Sequence, residues 1–336
     1  SALPPLLYFF TESFLMALLA MVLFNANRIM SVAYYLVMTE DAEDEGKIVA
    51  FNLFNAITVI AGLLLPIGGL IVGRYGLVPA ENAFLLISFA VMTVMILIRH
   101  RLLKETAVGE RVREKARAEK TGFLPLLISL WKPYRDAIRF LLENRVARAV
   151  MLANVFYCVY MNLGTNYSLY FVPYFADRLG MNTMQSSVLG SVYYGGMLAA
   201  MIFINPLFGR GSIIRGIVIS CGVSLAGMAM MVGIPGGMFV PAVMATLVLA
   251  VGYGMLKSSA DGAMAVYSES EFRSGIYSTA NLLSSGIGVI VTAVCAALYA
   301  RFAGWLYILC GIMVLLVMLC ALRVRGLEKE ESTQKE

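Results

Sequence analysis

Three charged residues lie deep inside apolar stretches of the sequence, where a charge is unusual and could take part in chemistry. Arg28 falls within the stretch 12–39, and Lys257 and Asp261 are four residues apart within the stretch 238–266. Because an ionisable group at bilayer depth is costly, it normally faces a wet cavity or a partner of opposite charge. Asp261 could bind and release a proton, with Arg28 as its charge partner or as a clamp on a solute. A Lys257–Asp261 pair that only neutralises itself is the alternative.

Polar residues at helical spacing extend these faces and supply hydrogen-bonding groups. A tyrosine shares a helical face with Arg28, another shares a face with Lys257, and three other stretches carry amides or hydroxyls. Such groups could bind a solute in a cavity, or they could form hydrogen bonds between helices. Besides the three charged residues, the candidate solute-binding residues are Tyr35, Asn52, Asn55, Asn154, Tyr157, Thr165, Tyr253 and Asn281.

The composition places these residues in a membrane. The chain has 336 residues, of which 60% are hydrophobic and 14% charged, and its mean hydropathy is +0.79. Soluble domains carry about 25% charged residues, so a disordered chain, a nucleic-acid-binding protein and an ordinary soluble enzyme are excluded. We predict an all-α polytopic membrane protein. Stretches long enough to cross about 30 Å of hydrocarbon, with Gly164 as a candidate break in the fourth, are 12–39, 47–73, 83–99, 147–174, 186–208, 213–233, 238–266, 275–299 and 303–323.

Basic residues predict the orientation of these spans. Half of the 26 Lys and Arg residues lie between positions 99 and 148. We therefore expect this loop and the C-terminus in the cytoplasm, with the chain in the cell inner (plasma) membrane. The net charge of +5 is then a topology signal and predicts no nucleic-acid partner. Around Trp131, an amphipathic pattern indicates a helix on the inner leaflet, with a solvated linker helix as the alternative.

An internal repeat relates two parts of the chain. Shifting 12–99 by 226 positions lays it over 238–325 without gaps and pairs Asn55 with Asn281. Three spans, their loops and their basic flanks superimpose together, which is stronger than the few identical letters. The segment 147–233 supplies another set of three spans. The chain therefore consists of three-helix units on either side of a long loop.

This arrangement resembles the major facilitator superfamily, whose members have two six-helix halves built from three-helix units and joined by a long basic cytoplasmic loop. The resemblance implies a two-half bundle with nine of twelve helices present, and we expect the first three helices to be missing ahead of Ser1. The expected domains are the remainder of the N-terminal half (1–99), a linker with the amphipathic helix (100–146), the six-helix C-terminal half (147–323) and a cytoplasmic tail (324–336).

Two segments resemble motifs of the superfamily. Segment 24–33 is similar to its pattern of an apolar residue followed by a membrane arginine, which is linked to proton transfer in proton-coupled members. Only Arg28 inherits that role here. Segment 62–69, which contains Pro66, resembles the Gly/Pro motif of proton-driven exporters, although a packed glycine cluster with a kink explains it about as well. The resemblance implies proton-coupled transport, with antiport as one form.

Other chemistries find no support in the sequence. It has no phosphate loop, nucleophile motif or zinc-ligand spacing, and its five cysteines fall within spans as small apolar residues. The one histidine, His100, is expected at the membrane interface, and segment 40–45 fits a solvated acidic loop better than a metal site. We therefore predict no enzyme activity, no metal and no cofactor, with a proton gradient as the energy source.

The function that these observations favour is secondary active transport of a small organic solute by alternating access, coupled to protons. A content of 21 Met, 18 Phe and 17 Tyr favours export of amphipathic compounds. Arg28 and Lys257 instead suggest uptake or exchange of a small organic anion. A membrane sensor or scaffold on the same fold, which transports nothing, is a third hypothesis. The expected partners are the lipid bilayer and the solute, with the chain acting as a monomer.

Overall fold

The computed structural model describes residues 2–11, 13–24, 57, 60–102, 110, 114, 134–165, 168, 170–205, 213–267 and 273–333. Regular structure within these ranges is helical and includes no strand. Seven of the described helices are long and apolar enough to cross a membrane. The prediction of an all-α polytopic protein is therefore confirmed.

Two compact units divide the chain, one formed by residues 1–60 and 67–122 and the other by residues 61–66 and 123–336. In the first unit, α1 packs against α4. Gly76, with φ +86°, forms the turn between α3 and α4, at a break that the sequence predicts. The helices here are α1 (Leu3–Phe9), α2 (Phe14–Phe24), α3 (Leu65–Tyr75, whose first two residues belong to the second unit) and α4 (Leu77–Leu102).

Among the described residues, the second unit contains six long helices and two short ones. Local capping sets two of their starts: Asn144 accepts a hydrogen bond from the Ala147 amide at 2.9 Å, and Asn182 and Gln185 form a capping box. The helices are α5 (134–143), α6 (Arg145–Gly164), α7 (Phe171–Asp177), α8 (Thr183–Ala199), α9 (Ile213–Gly233), α10 (Phe239–Tyr267), α11 (Arg273–Tyr299) and α12 (Trp305–Thr333).

Helix α10 lies at the centre of this unit, where it packs against α6, α8 and α9. Helix α6 also packs against α11 and α12, and α9 packs against α12. Small residues allow the close approach of α10: a Cβ atom on Gly252 would lie 2.6 Å from the backbone nitrogen of Ser224 in α9. Any polar residue on the inner side of α10 is therefore held between three neighbouring helices.

The predicted span 147–174 is not one continuous helix: it breaks at the candidate position, because α6 ends at Gly164 and a separate short helix, α7, follows. Gly164 lies against α12, where a Cβ atom would overlap the Sγ of Cys310. Thr165 is extended, and its hydroxyl donates to the carbonyl of Met161 at 2.6 Å. This side-chain bond caps a carbonyl that would otherwise be left at the helix end.

The last span is longer than predicted, since α12 continues from Trp305 to Thr333 rather than ending at 323. Residues 324–333 contain no proline and several good helix formers, so nothing stops the helix at the expected membrane boundary. The predicted spans 12–39 and 47–73 fall largely outside the described residues.

The amphipathic helix predicted around Trp131 is described in its second part, which is α5. Ala137 and Leu141 are buried, whereas Arg135 and Arg139 are exposed, so one apolar and one basic face are present. Trp131 itself lies outside the described residues. Its placement on the inner leaflet stays a prediction.

Candidate functional site

Lys257 and Asp261 form an ion pair on α10. The Nζ of Lys257 donates to the Oδ2 of Asp261 over 2.9 Å, and the two side chains are 28% and 52% exposed. Their chain neighbours Leu256 and Ala260, which are rotated by about 100° on the helix, are buried. The helix therefore presents the two charges together at the edge of the helix bundle of the second unit.

Helix α6 brings a polar turn close to this pair. The two helices pack against each other, and Asn154 of α6 lines the same small cavity as Ala260 of α10, the residue next to Asp261. Cys158 Sγ donates to Asn154 Oδ1 at 3.6 Å. The candidate site is therefore an α6–α10 cluster that combines an acid, a base, a thiol and an amide.

A layer of tyrosine rings lies behind this cluster, in the bundle interior. Tyr253 of α10 stacks on Tyr157 with ring centroids 6.3 Å apart, and its edge contacts Tyr160 at 6.0 Å. Tyr193 of α8 lies 5.9 Å from Tyr253. All four side chains are at most 1% exposed. They form a rigid wall that holds α6 and α10 in register and are themselves covered.

Several buried hydroxyls near this layer were not singled out in the sequence. Those of Tyr160, Tyr193, Ser224 and Tyr307 are inaccessible to solvent. They come from four different helices, so no spacing along the chain relates them. The only available sequence signal is the i, i+3 spacing of Tyr157 and Tyr160, which places both on one face of α6.

The end of α8 is tied to α10 beside the ion pair. A π-helical turn at Ala200–Ile204 precedes Asn205. The Asn205 amide donates to Ser258 Oγ at 2.7 Å and to the Gly254 carbonyl at 3.3 Å. Single π turns often occur at functional sites. Helix α6 and the end of α8 therefore both contact α10 near the segment that carries Lys257.

The remaining predicted site residues lie elsewhere. Thr165 is fully buried at the end of α6, and its hydroxyl is bonded within that helix. Asn281 is exposed on α11, and its backbone carbonyl accepts a hydrogen bond from the Ser284 hydroxyl at 3.0 Å. The structure therefore brings Asn154, Tyr157, Tyr253, Lys257 and Asp261 together and places the other two apart. Arg28, Tyr35, Asn52 and Asn55 lie outside the described residues.

Hydrogen bonds also join helix ends on either side of the bundle. Tyr299 of α11 donates to Asp177 of α7 at 3.0 Å. Tyr267 at the end of α10 donates to the Glu328 carboxylate of α12. Burial, together with this carboxylate, raises the pKa of Tyr267. The phenol therefore remains protonated and able to donate well above neutral pH.

No group of three metal-ligating side chains is present in the part of the chain that the structure describes. One small cavity, of about 10 Å³, lies between α6, α9, α10 and α12. Asn154 is the polar residue in its lining, and residues such as Ala153, Ile217 and Ala260 make the rest apolar. This space holds about one water molecule, so it is too small for an organic solute.

The sequence model of the Major Facilitator Superfamily matches residues 1–285. The chain belongs to the Major Facilitator Superfamily. This confirms the resemblance seen in the repeat and in the membrane arginine motif. The chain is thus a multi-pass membrane protein of a secondary-transporter family. No curated protein matches it.

Proposed function

We propose that this chain is a proton-coupled secondary transporter that exports amphipathic organic compounds by alternating access. The observation that carries the proposal is the Lys257–Asp261 ion pair, which lies on α10 against the polar turn of α6. Asp261 is the group that takes up and releases the proton. Protonation removes its negative charge and ends the attraction to Lys257, so proton binding changes the charge that this surface presents.

The ion pair favours transport of amphipathic compounds over transport of anions, because it leaves no permanent site for an anion. With Asp261 ionised, the Lys257 charge is compensated at 2.9 Å, so the α6–α10 cluster attracts anions weakly. Compounds with a large apolar part would instead be held by packing, to which the many Met and aromatic side chains of the chain are suited. For Arg28 we propose the role that the sequence suggests, a charge partner or a clamp on the solute.

Uptake or exchange of a small organic anion is the second candidate, and the same ion pair favours it in one protonation state. When Asp261 is protonated, Lys257 keeps its charge and becomes available to an anion such as a carboxylate. Proton and anion would then bind together. In this candidate the solute enters the cell together with the proton, whereas in export the solute leaves as the proton enters.

The proposal places the chain in the cell inner membrane, with the central loop and the C-terminus in the cytoplasm, as a monomer powered by the proton gradient. The unequal distribution of Lys and Arg supports this orientation. We propose no enzyme activity and no cofactor. The direct partners are the surrounding lipids and the transported solute.

The test is proton-driven transport in inverted membrane vesicles made with the native protein and with Asp261→Asn. The native protein should accumulate an amphipathic fluorescent dye when the vesicle interior is acidified. Asp261→Asn should fall to the level of vesicles without the protein, because it has no titratable carboxyl group there. Asp261→Glu should retain coupling, and Asp136→Asn, an exposed carboxylate on α5, is the matched control.

Proton-dependent accumulation that survives in Asp261→Asn would contradict the coupling role. Uptake of labelled organic anions in intact cells, without dye movement in vesicles, would select the second candidate. A membrane sensor or scaffold that transports nothing would move neither. In that case, none of the transport solutes tested should protect Cys158 from thiol reagents.

A further inference from the structure

Asn205, at the end of α8, is hydrogen-bonded to the face of α10 that carries the Lys257–Asp261 pair. Its side-chain amide donates to Ser258 Oγ at 2.7 Å and to the Gly254 carbonyl at 3.3 Å. Lys257 lies between these two acceptors in the chain, and Asp261 follows three residues after Ser258. On a regular helix, all four residues lie within about 100° of one another. Asn205 therefore contacts α10 on the side of the ion pair and within one helical turn of Lys257.

The orientation of the Asn205 amide follows from its partners. The Gly254 carbonyl can only accept a hydrogen bond, so the NH₂ group must be the part of the amide that faces it. The Asn205 Oδ1 is buried and accepts no hydrogen bond within the described part of the chain. A buried acceptor without a donor destabilises a structure. The two bonds to α10 are therefore the polar interactions that hold this side chain in place.

The backbone that carries Asn205 is fixed as well. Asn205 ends the π turn, and its own N–H donates to the Ala200 carbonyl five residues earlier. Helix α8 lies directly on α10 just before this point, since a Cβ atom on Gly254 would be 2.7 Å from the Met197 carbonyl oxygen. The same atom would be 3.1 Å from the Cβ of Ala200. The Asn205 amide therefore extends a close contact between two helices by one step towards the charged turn.

The ion pair depends on the orientation of α10 because its side chains are partly exposed and have little packing of their own. Tyr253 faces α6 and Gly254 faces α8, about 100° apart on α10. Lys257 and Asp261 lie between these two directions, in the groove between α6 and α8. A rotation of this turn about the helix axis would carry both charges out of the groove. The bonds from Asn205 oppose that rotation.

We propose that Asn205 is a positioning residue for proton-coupled transport. It holds the turn from Gly254 to Ser258 and thereby keeps the Lys257–Asp261 pair in the groove between α6 and α8. This inference rests on the transport function proposed above. Asn205 acts through α10 and does not bind the solute or the proton itself.

The experiment compares initial rates of dye accumulation in inverted vesicles for the native protein, Asn205→Leu and Asn162→Leu. Leucine has about the same shape as asparagine but donates no hydrogen bond. In Asn205→Leu, the maximal rate per folded transporter should fall about fivefold or more, and the KM for the dye should change by less than about twofold. A misplaced reacting group slows a step without weakening solute binding. Asn162→Leu, which loses an amide bond to the Cys158 carbonyl within α6, is the matched control and should keep the native rate.

A second comparison tests whether Asn205 acts through Ser258. Ser258→Ala removes the acceptor of the 2.7 Å bond and should lower the maximal rate without changing the KM. The double variant N205L/S258A should be no slower than Asn205→Leu alone, because both changes break the same contact. Additive losses would contradict this route. If Asn205→Leu does not fold, an unchanged maximal rate in Ser258→Ala overturns the proposal by itself.

An unchanged maximal rate in Asn205→Leu would also overturn the proposal. A higher KM at the native maximal rate would make Asn205 a solute-binding residue instead. If the native protein moves labelled anions rather than dye, the same comparison is made with the anion. A native protein that moves neither solute would refute the transport function itself, and the positioning role would be refuted with it.

Discussion

Lys257 and Asp261 depend on each other because both charges lie on a membrane-spanning helix. Removing one partner leaves the other charge without compensation, which costs more than removing both. The pair is only partly buried, with 28% and 52% of the side chains exposed, so the coupling between its members is expected to be modest. Its effect on stability can nevertheless be separated from its effect on transport.

We predict that the losses of stability in Lys257→Gln and Asp261→Asn add up to more than the loss in the double variant Lys257→Gln/Asp261→Asn. The coupling free energy should be about 0.3–0.5 kcal/mol, as for partly exposed pairs four residues apart on a helix. Thermal unfolding of the four proteins in detergent provides the measurement. Strictly additive losses would mean that the 2.9 Å contact contributes nothing to stability.

At this scale, the sequence predicts residues that are close along one helix and misses those that meet across helices. Lys257 and Asp261 share a face because four residues make about one helical turn. Tyr193, by contrast, reaches Tyr253 only because α8 packs on α10. A single sequence does not show which residues of different helices are in contact, so most of the tyrosine layer could not be predicted.

Helix elements in the second unit are positioned by small residues at their contacts. Gly252 of α10 faces Ser224 of α9, and three residues earlier Leu249 lies over Gly227, where a Cβ atom would be 2.8 Å from the Leu249 nitrogen. The two contacts fix the antiparallel register of α9 and α10. Close backbone approach of this kind drives helix association where lipid offers no hydrophobic advantage.

We predict that Gly252→Ala destabilises the protein by about 1–3 kcal/mol, since its Cβ atom would meet backbone atoms of Ser224 that cannot move aside. Gly262→Ala on the same helix is the matched control, because no described atom outside its own helix lies within 4 Å of the added carbon. There the better helix propensity of alanine should leave stability equal or higher. Similar unfolding midpoints for the two variants would show that the α9–α10 contact is looser than described.

Hydropathy predicts which segments form helices, whereas the position of each helix end depends on contacts with other residues. Gly180 and Gly237, with φ of +65° and +82°, lie at turns between the spans that the sequence predicts. The end of α6 at Gly164 agrees with the candidate break in the sequence, whereas the continuation of α12 to Thr333 was not predicted. Hydropathy shows where a segment can cross lipid, but side-chain caps and neighbouring helices decide where it stops.

For the whole molecule, the distribution of basic residues is the feature with the largest consequences. It predicts which ends of the helices face the cytoplasm, and the cavity lined by Val150, Ile214 and Val324 groups three of the basic helix ends on one side. Tyr267 and Glu328 join α10 and α12 on that side. Arg301, beyond the end of α11, is predicted on the other.

We predict that a cysteine at 301 reacts with a membrane-impermeant maleimide in intact cells, whereas a cysteine at 330 reacts only after the membrane is opened. Both native residues, Arg301 and Glu330, are exposed, so access to each depends on the side of the membrane. Labelling of the native chain, with its five cysteines, gives the background. The reverse pattern would invert the topology.

The π turn at Ala200–Ile204 acts as a phase shift within a single helix. Compared with a regular α-helix, one extra residue there rotates everything beyond it by about 100°. That rotation lets Asn205 reach Ser258 and Gly254 of α10. The residues before and after the π turn therefore face in different directions, although they belong to one continuous helix. Changes in length within the turn should matter more for this contact than changes in side-chain identity, because a deletion would turn Asn205 away from α10 whichever residue is lost.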